Sequence, residues 1–272
     1  FDMELIKYII LGIIQGLTEP LPISSSGHLL IFRELFNTNM FNDLNFEVMV
    51  NFGSFIAILI IFWKDIVRLV SSFFKYLFGD KKDKKKYYDD FKYCLLIVVG
   101  SIPVGIIGLL FKDKIEAIAS VKEVGLALLI TALALFVVKS SNGKKKDNEI
   151  TYKDALIIGL FQMCALLPGL SRSGMVLVGC LLCGLNRESS LKYTFMLYFP
   201  VSVASFGLSS IDVIKSGIAS NLLLGYFLGM VAAGIVTYFT YKWLSEIVKN
   251  GKLWKFSIYC VLVALFIFIY FR

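Results

Sequence analysis

Three ionisable side chains lie inside otherwise apolar stretches of this 272-residue chain: Glu19, His28 and Arg172. Ionisable groups cost free energy in an apolar environment and usually mark function there. Arginine supplies a planar fork of donors that suits phosphate. Half-helices beginning after Ser26 and Ser173 would add backbone N–H groups and the positive end of a helix dipole. Together with serine hydroxyls, these groups predict an anion site suited to phosphate.

A candidate nucleophile and a candidate base also lie close together in the sequence. His28 is the only histidine and follows Ser25 by three positions, so both can share one helical face. Such a pair can act as nucleophile and general base. Glu19 has two alternative roles, either holding a divalent cation that bridges phosphate oxygens or activating water. Gln15 lies one turn before Glu19 and could orient it.

A plainer interpretation is an ion pair between Glu19 and Arg172 that only holds two segments together. It does not explain why serines cluster beside these ionisable groups. The serines are Ser24, Ser25, Ser26, Ser171 and Ser173. Two other roles stay open: Glu47 is either part of the site or an interfacial anchor, and Gln162 is a candidate structural hydrogen bonder.

The segment around the first serines recurs 147 positions later in the chain. The identical pairs are Gly12/Gly159, Gln15/Gln162, Ser24/Ser171, Ser26/Ser173, Gly27/Gly174 and Leu30/Leu177. Interrupted hydrophobic segments at matching places in two halves point to a membrane site between inverted repeats. The same offset pairs Ser25 with Arg172, so we expect these two side chains to converge.

The composition is that of a membrane protein of many helices, with 57% hydrophobic and only 18% charged residues. Two hydrophobic segments, 8–36 and 155–185, are broken at mid-length by proline, glycine and serine. Each half of these segments has about 12 residues, too few to cross a hydrocarbon core of about 30 Å. We therefore predict two re-entrant helix–turn–helix hairpins.

The remaining apolar runs predict the fold class, an all-α polytopic membrane protein with six transmembrane helices. The predicted spans are residues 46–64, 92–111, 121–139, 190–209, 219–241 and 254–271. Residues 1–140 and 148–272 then form two repeats of one membrane domain, each with a hairpin and three crossings. Because three is odd, the second repeat is inverted.

Lysine and arginine predict the orientation of the protein. Twenty lie on one side of the predicted membrane and seven on the other, with Arg172 inside it. The lysine-rich side is therefore expected to be cytoplasmic, with both termini outside and the site open to the outer face. The runs Lys81–Lys86 and Lys144–Lys146 lie in predicted loops without the interleaved aromatics of a nucleic-acid platform, so we expect no nucleic-acid binding.

These segments resemble the bacterial undecaprenyl-diphosphatase family, also called BacA or UppP. That family carries a Glu-or-Gln-xxx-Glu motif running into LPxSSxGH, and a second motif PGxSRSGxT. Here they stand as Gln15-Gly-Leu-Thr-Glu19, Leu21-Pro-Ile-Ser-Ser-Ser-Gly-His28 and Pro168-Gly-Leu-Ser-Arg-Ser-Gly-Met-Val176. Residues 46–54 resemble a further block of the family, and the resemblance covers essentially the whole chain.

The resemblance implies an inverted-repeat fold that hydrolyses undecaprenyl diphosphate to the monophosphate and phosphate. It also implies recycling of this lipid carrier for peptidoglycan and other cell-wall glycans, and bacitracin resistance. The functional set by matching position is Gln15, Glu19, Ser25, His28 and Arg172. Mg²⁺ or Ca²⁺ would assist, with Glu19 as candidate ligand. The predicted phosphate-binding set adds Ser24, Ser26, Gly27, Ser171, Ser173 and Gly174. Two positions depart from the family pattern, Val176 from Thr and Asn51 from Gln, and we assign Val176 no role.

In the resulting hypothesis, a long prenyl tail lies between helices while the diphosphate enters a polar pocket. Either Ser25, deprotonated by His28, or a water activated by Glu19 attacks the terminal phosphorus. The rival is a polyprenyl-phosphate transporter, since broken helices in inverted repeats are common in transporters. A transporter would not need a Ser–His pair, and the repeated carboxylates of an ion channel are missing from the sequence. The oligomeric state stays open, with a homodimer as one option.

Overall fold

The computed structural model describes residues 2–36, 44–116, 120–216 and 222–271, and in these ranges the regular structure is helical. The α-helices are α1 Asp2–Thr18, α2 Ser25–Phe36, α3 Leu44–Phe78, α4 Lys81–Glu116, α5 Val121–Val137, α6 Tyr152–Cys164, α7 Arg172–Leu182, α8 Arg187–Ser216, α9 Leu223–Lys249 and α10 Trp254–Tyr270. The expected all-α class is therefore confirmed.

Three of the described helices, α3, α4 and α9, are long and apolar enough to cross a membrane. The other three predicted spans fall on α5, α8 and α10, although residues 219–221 of the predicted span 219–241 lie outside the described residues. The protein is thus a helical membrane protein with several spanning segments.

Two of these helices, α3 and α4, exceed their predicted spans of 46–64 and 92–111 by the most. With 35 and 36 residues, α3 and α4 reach about 50 Å each, well beyond a hydrocarbon core of about 30 Å. The prediction of a loop around Lys81–Lys86 was wrong, because this run forms the first turns of α4. Lysine is a good helix former, and the rings of Tyr76 and Phe91 stack between the two helices at 4.1 Å.

Both predicted hairpins are broken helices, and each packs against the other half of the chain. α1 lies along α9, while its repeat mate α6 lies along α4. The backbones approach closely at repeated glycines: a Cβ on Gly12 would overlap the Gly229 carbonyl oxygen, and one on Gly159 the Gly100 carbonyl oxygen. Small residues allow this backbone proximity between membrane helices. The two halves are therefore interlocked at matching positions.

Candidate functional site

The first hairpin turns at Ser24, which caps α2. Its φ of 69° is the one positive value among the described non-glycine residues, a conformation that costs about 1–3 kcal/mol and persists mainly at functional sites. The Ser24 hydroxyl accepts the Gly27 N–H at 3.3 Å. α2 consequently begins at Ser25, not after Ser26 as predicted from the sequence.

The second hairpin turns at the repeat mate, Ser171. Its hydroxyl accepts the Gly174 N–H at 3.1 Å, so α7 begins at Arg172, not after Ser173 as predicted. α7 is buried from Gly174 to Leu181. The Ser173 hydroxyl donates to the Leu21 carbonyl at 3.0 Å and ties the two hairpin turns together.

The two turns meet at the carboxylate of Glu19. Its Oε1 accepts from Arg172 Nη2 at 2.9 Å, and its Oε2 accepts from Ser25 Oγ at 2.5 Å and from Gln15 Nε2 at 3.0 Å. The Glu19 side chain is 6% exposed, whereas that of Arg172 is 32% exposed. Ser25 and Arg172 therefore converge, and the arginine keeps donors accessible to a ligand.

Two more side chains fix this centre, and the sequence analysis gave neither a role. Asn51 Oδ1 accepts from Gln15 Nε2 at 2.6 Å, so Gln15 is held in place to orient Glu19. The Arg172 guanidinium lies 4.7 Å from the centre of the Tyr198 ring. The repeat contained a usable signal, because Asn51 and Tyr198 are also 147 positions apart.

A cavity of about 230 Å³ opens over this centre and is lined by Glu19, Ser25 and Arg172. A larger cavity of about 550 Å³ shares part of its wall. Glu47 lines both cavities and pairs with Arg33 at 2.6 Å. Glu47 thus belongs to the cavity wall, where its carboxylate is neutralised by a cation.

His28 does not pair with Ser25. Its Nδ1 contacts the Ser24 carbonyl at 2.8 Å and its Nε2 contacts the Tyr259 hydroxyl at 2.8 Å, so both ring nitrogens are engaged elsewhere. The ring lines a separate, mainly apolar cavity beside Trp243. The predicted Ser25–His28 pair is therefore corrected: the side chain that accepts the Ser25 hydroxyl is the Glu19 carboxylate.

A metal ion would find few protein ligands here. Within the described ranges, no three side chains among His, Cys, Asp and Glu lie close enough together to hold one. Gln15 Oε1, however, is a buried acceptor that has no partner, next to the Glu19 carboxylate. Magnesium commonly takes one or two carboxylates and completes its shell with phosphate oxygens and water. Glu19 and Gln15 fit that limited role.

Comparison with known proteins agrees with this architecture. Residues 8–266 match the family described as Bacitracin resistance protein BacA. The chain is 41% identical over 267 residues to Undecaprenyl-diphosphatase 2 of Bacillus thuringiensis strain Al Hakam, covering 98% of this chain and 97% of that one. It is 40% identical over 269 residues to Undecaprenyl-diphosphatase of Oceanobacillus iheyensis, covering 98% and 96%. The chain belongs to the bacitracin resistance protein BacA family.

Proposed function

We propose that this protein hydrolyses undecaprenyl diphosphate to undecaprenyl phosphate and inorganic phosphate. The names of its relatives give this substrate. The observation that carries the proposal is the Glu19 carboxylate, which accepts the Ser25 hydroxyl on one oxygen and the Arg172 guanidinium on the other. A hydroxyl poised on a base, beside a phosphate-binding cation, is the arrangement that phosphoryl transfer needs.

In the first step, Ser25 Oγ attacks the terminal phosphorus while Glu19 takes its proton. The bond between this phosphorus and the bridging oxygen breaks, and undecaprenyl phosphate leaves with that oxygen. Glu19 passes this proton to the departing undecaprenyl phosphate and then deprotonates a water that attacks the phosphorus of the phosphoserine. The bond between this phosphorus and Ser25 Oγ breaks, Ser25 Oγ takes back the proton from Glu19, and inorganic phosphate is released. In the alternative, Glu19 deprotonates a water that attacks the phosphorus directly. Trapping a phosphorylated Ser25 by rapid quench would establish the first route.

Charge stabilisation comes from the groups around the carboxylate. Arg172 donates to phosphate oxygens, and the first residues of α2 and α7 line the same cavity, with Ser24 and Ser171 as caps. The positive ends of these two helices would favour an anion there. A divalent cation held by Glu19 and Gln15 would neutralise further phosphate charge. His28 acts as a positioning residue, since its contact with the Ser24 carbonyl holds the turn that carries Ser25.

In the membrane arrangement that we propose, α3, α4, α5, α8, α9 and α10 cross, and the two broken hairpins enter from opposite sides. Glu47 and Arg33, at the cavity wall, pair close to the start of α3, about 25 Å along that helix from Lys64. This part of the cavity wall lies nearer the start of α3 than its lysine-rich end, and this supports our proposal of an outward-facing site with external termini. Recycling of the lipid carrier at that face would explain bacitracin resistance. A homodimer stays a prediction of the sequence.

Transport of a polyprenyl phosphate is the second candidate, because α1–α9 and α6–α4 packing interlocks two repeats as in many transporters. A transporter, however, has no use for a serine hydroxyl held on a carboxylate. We therefore favour the hydrolase.

Phosphate release from a long-chain prenyl diphosphate by the purified protein in detergent tests the proposal. Wild type should release phosphate, and Ser25→Ala and Arg172→Ala should lose nearly all activity. Gly105→Ala is the matched control, because a methyl group at that helix position meets no other atom within 4 Å. A folded wild type that releases no phosphate, with or without Mg²⁺ or Ca²⁺, would point to transport instead.

A further inference from the structure

One polar side chain in the wall of the smaller cavity has no partner. Gln162, on α6, is 1% exposed and lines the same cavity as Glu19, Ser25 and Arg172. Neither its Nε2 nor its Oε1 makes a hydrogen bond to any residue in the described ranges. The structural hydrogen bond expected of Gln162 from the sequence is therefore not made by its amide. Buried amides almost always have partners, so a donor and an acceptor left free at a cavity wall point to a ligand.

The repeat shows why this amide is free. Gln15, its mate 147 positions earlier, donates to Glu19 Oε2 at 3.0 Å and to Asn51 Oδ1 at 2.6 Å. Those two acceptors satisfy the Gln15 nitrogen and turn that side chain into a support for the carboxylate.

The positions that would serve Gln162 in the same way carry other residues. Leu166 stands 147 positions after Glu19 and has no polar atom in its side chain. Tyr198 stands 147 positions after Asn51, and its ring lies under the Arg172 guanidinium. The second repeat therefore has the glutamine but lacks side chains equivalent to Glu19 and Asn51 that would accept its hydrogen bonds.

The ligand must offer an acceptor and a donor side by side, since the free amide presents one N–H donor group and one carbonyl acceptor. A terminal phosphoryl group does so near neutral pH, because its second pKa is about 6 and it still carries a hydroxyl part of the time. The phosphate that joins the bridging oxygen to the prenyl chain has no such hydroxyl. Inorganic phosphate, the product, has the same donor and acceptor pattern.

We propose that Gln162 forms the inner wall of the subsite for the terminal phosphoryl group. Nε2 donates to a phosphoryl oxygen, and Oε1 accepts from the phosphoryl hydroxyl. Gln162 is then a substrate-binding residue that also holds the departing inorganic phosphate. This inference rests on the proposed hydrolase, and it adds a residue from the second repeat to a site otherwise centred on Glu19 and Ser25.

Gln162→Met tests the subsite, because methionine has a similar length and no amide. Without phosphate, the melting temperature in detergent should be equal to or higher than that of wild type, since two unpaired buried groups are gone. Inorganic phosphate should stabilise wild type but not the variant. The inhibition constant for phosphate and the KM for the prenyl diphosphate should both rise about tenfold or more, because the variant loses a hydrogen bond to a charged group.

Gln162→Glu is the second variant, and its carboxylate should weaken phosphate binding further by repulsion. Thr237→Val is the matched control: it removes a buried hydroxyl that donates to Ser54 Oγ at 2.9 Å, away from the cavity. It should lower the melting temperature and leave the phosphate inhibition constant unchanged. Unchanged phosphate inhibition and KM in Gln162→Met would overturn the proposal and assign the amide to a bound water. Wild-type turnover, measured separately, tests the hydrolase itself.

Discussion

Ser25 and Arg172 contact opposite oxygens of one carboxylate although they lie 147 positions apart. Ser25 Oγ donates to Glu19 Oε2 at 2.5 Å and Arg172 Nη2 donates to Glu19 Oε1 at 2.9 Å. These two residues occupy the same position in their repeats, so the fold places a hydroxyl and a cation at equivalent points around a single acid. Equivalent positions of the sequence repeat thus carry different chemistry, a hydroxyl in one copy and a guanidinium in the other.

The first prediction concerns Glu19→Gln, which keeps the size of the side chain and one acceptor oxygen but removes the base. We expect kcat for phosphate release to fall about 10²–10⁴-fold, the usual contribution of a general base. The melting temperature in detergent should show that the variant is folded. A kcat near the wild-type value would mean that Glu19 only holds Arg172 in place.

The second prediction separates positioning from base catalysis at His28. The amide of His28→Asn can still donate to the Ser24 carbonyl, as Nδ1 is placed to do, but it cannot take up a proton. We expect this variant to stay within about tenfold of wild-type kcat, and His28→Ala to lose about 10²-fold or more. Steady-state phosphate release measures both. Equal, severe loss in the two variants would instead assign His28 a chemical step.

The third prediction concerns the glycines at the helix crossings. A methyl group in Gly12→Ala or Gly159→Ala would overlap a carbonyl oxygen of the facing helix, so α1 or α6 must move outward. We expect each to destabilise the protein by about 1–3 kcal/mol, as overpacking does. Gly105→Ala, with open space around it, should be neutral or slightly stabilising. Melting temperatures in one detergent compare the three, and similar values for all would exclude close packing at the crossings.

The fourth prediction is a pH dependence at the start of α6. Burial raises the pKa of Asp154, but hydrogen bonds from Thr151 and Lys145 outweigh burial and hold the pKa below its ordinary value. A lowered folded-state pKa gives stabilisation that is complete above the unfolded pKa of about 3.9 and is lost as pH falls through the folded pKa.

Wild type should therefore be more stable than Asp154→Asn near pH 7, and the difference should shrink as the pH drops below about 4. Melting temperatures of both proteins across that range measure the effect. A difference that does not change with pH would show that the carboxylate has the same proton affinity in the folded and unfolded chains.

The sequence predicted the broken hairpins and the convergence of Ser25 with Arg172 because local signals and the repeat encode both. It could not predict that His28 contacts Tyr259, 231 positions later, since that pairing depends on where α10 packs. Nor could it predict the positive φ of Ser24, because residue types do not reveal a strained backbone at a single position. The charge of the Lys81–Lys86 run favours a loop, but lysine is a good helix former and the run begins α4.

The exchange of α1 and α6 between the halves has a consequence for assembly. A half of this chain made alone would leave the glycine face of its hairpin without the helix that covers it, since Gly12 faces Gly229 and Gly159 faces Gly100. Two separately made halves would cover these glycine faces if the hairpin of each half packed against a helix of the other. In the intact chain, residues 138–151 connect the two halves. Each hairpin therefore packs against the other half of the same molecule, and the connection gives the two halves a high effective concentration for each other. Cutting this connection after folding should leave two fragments that stay together.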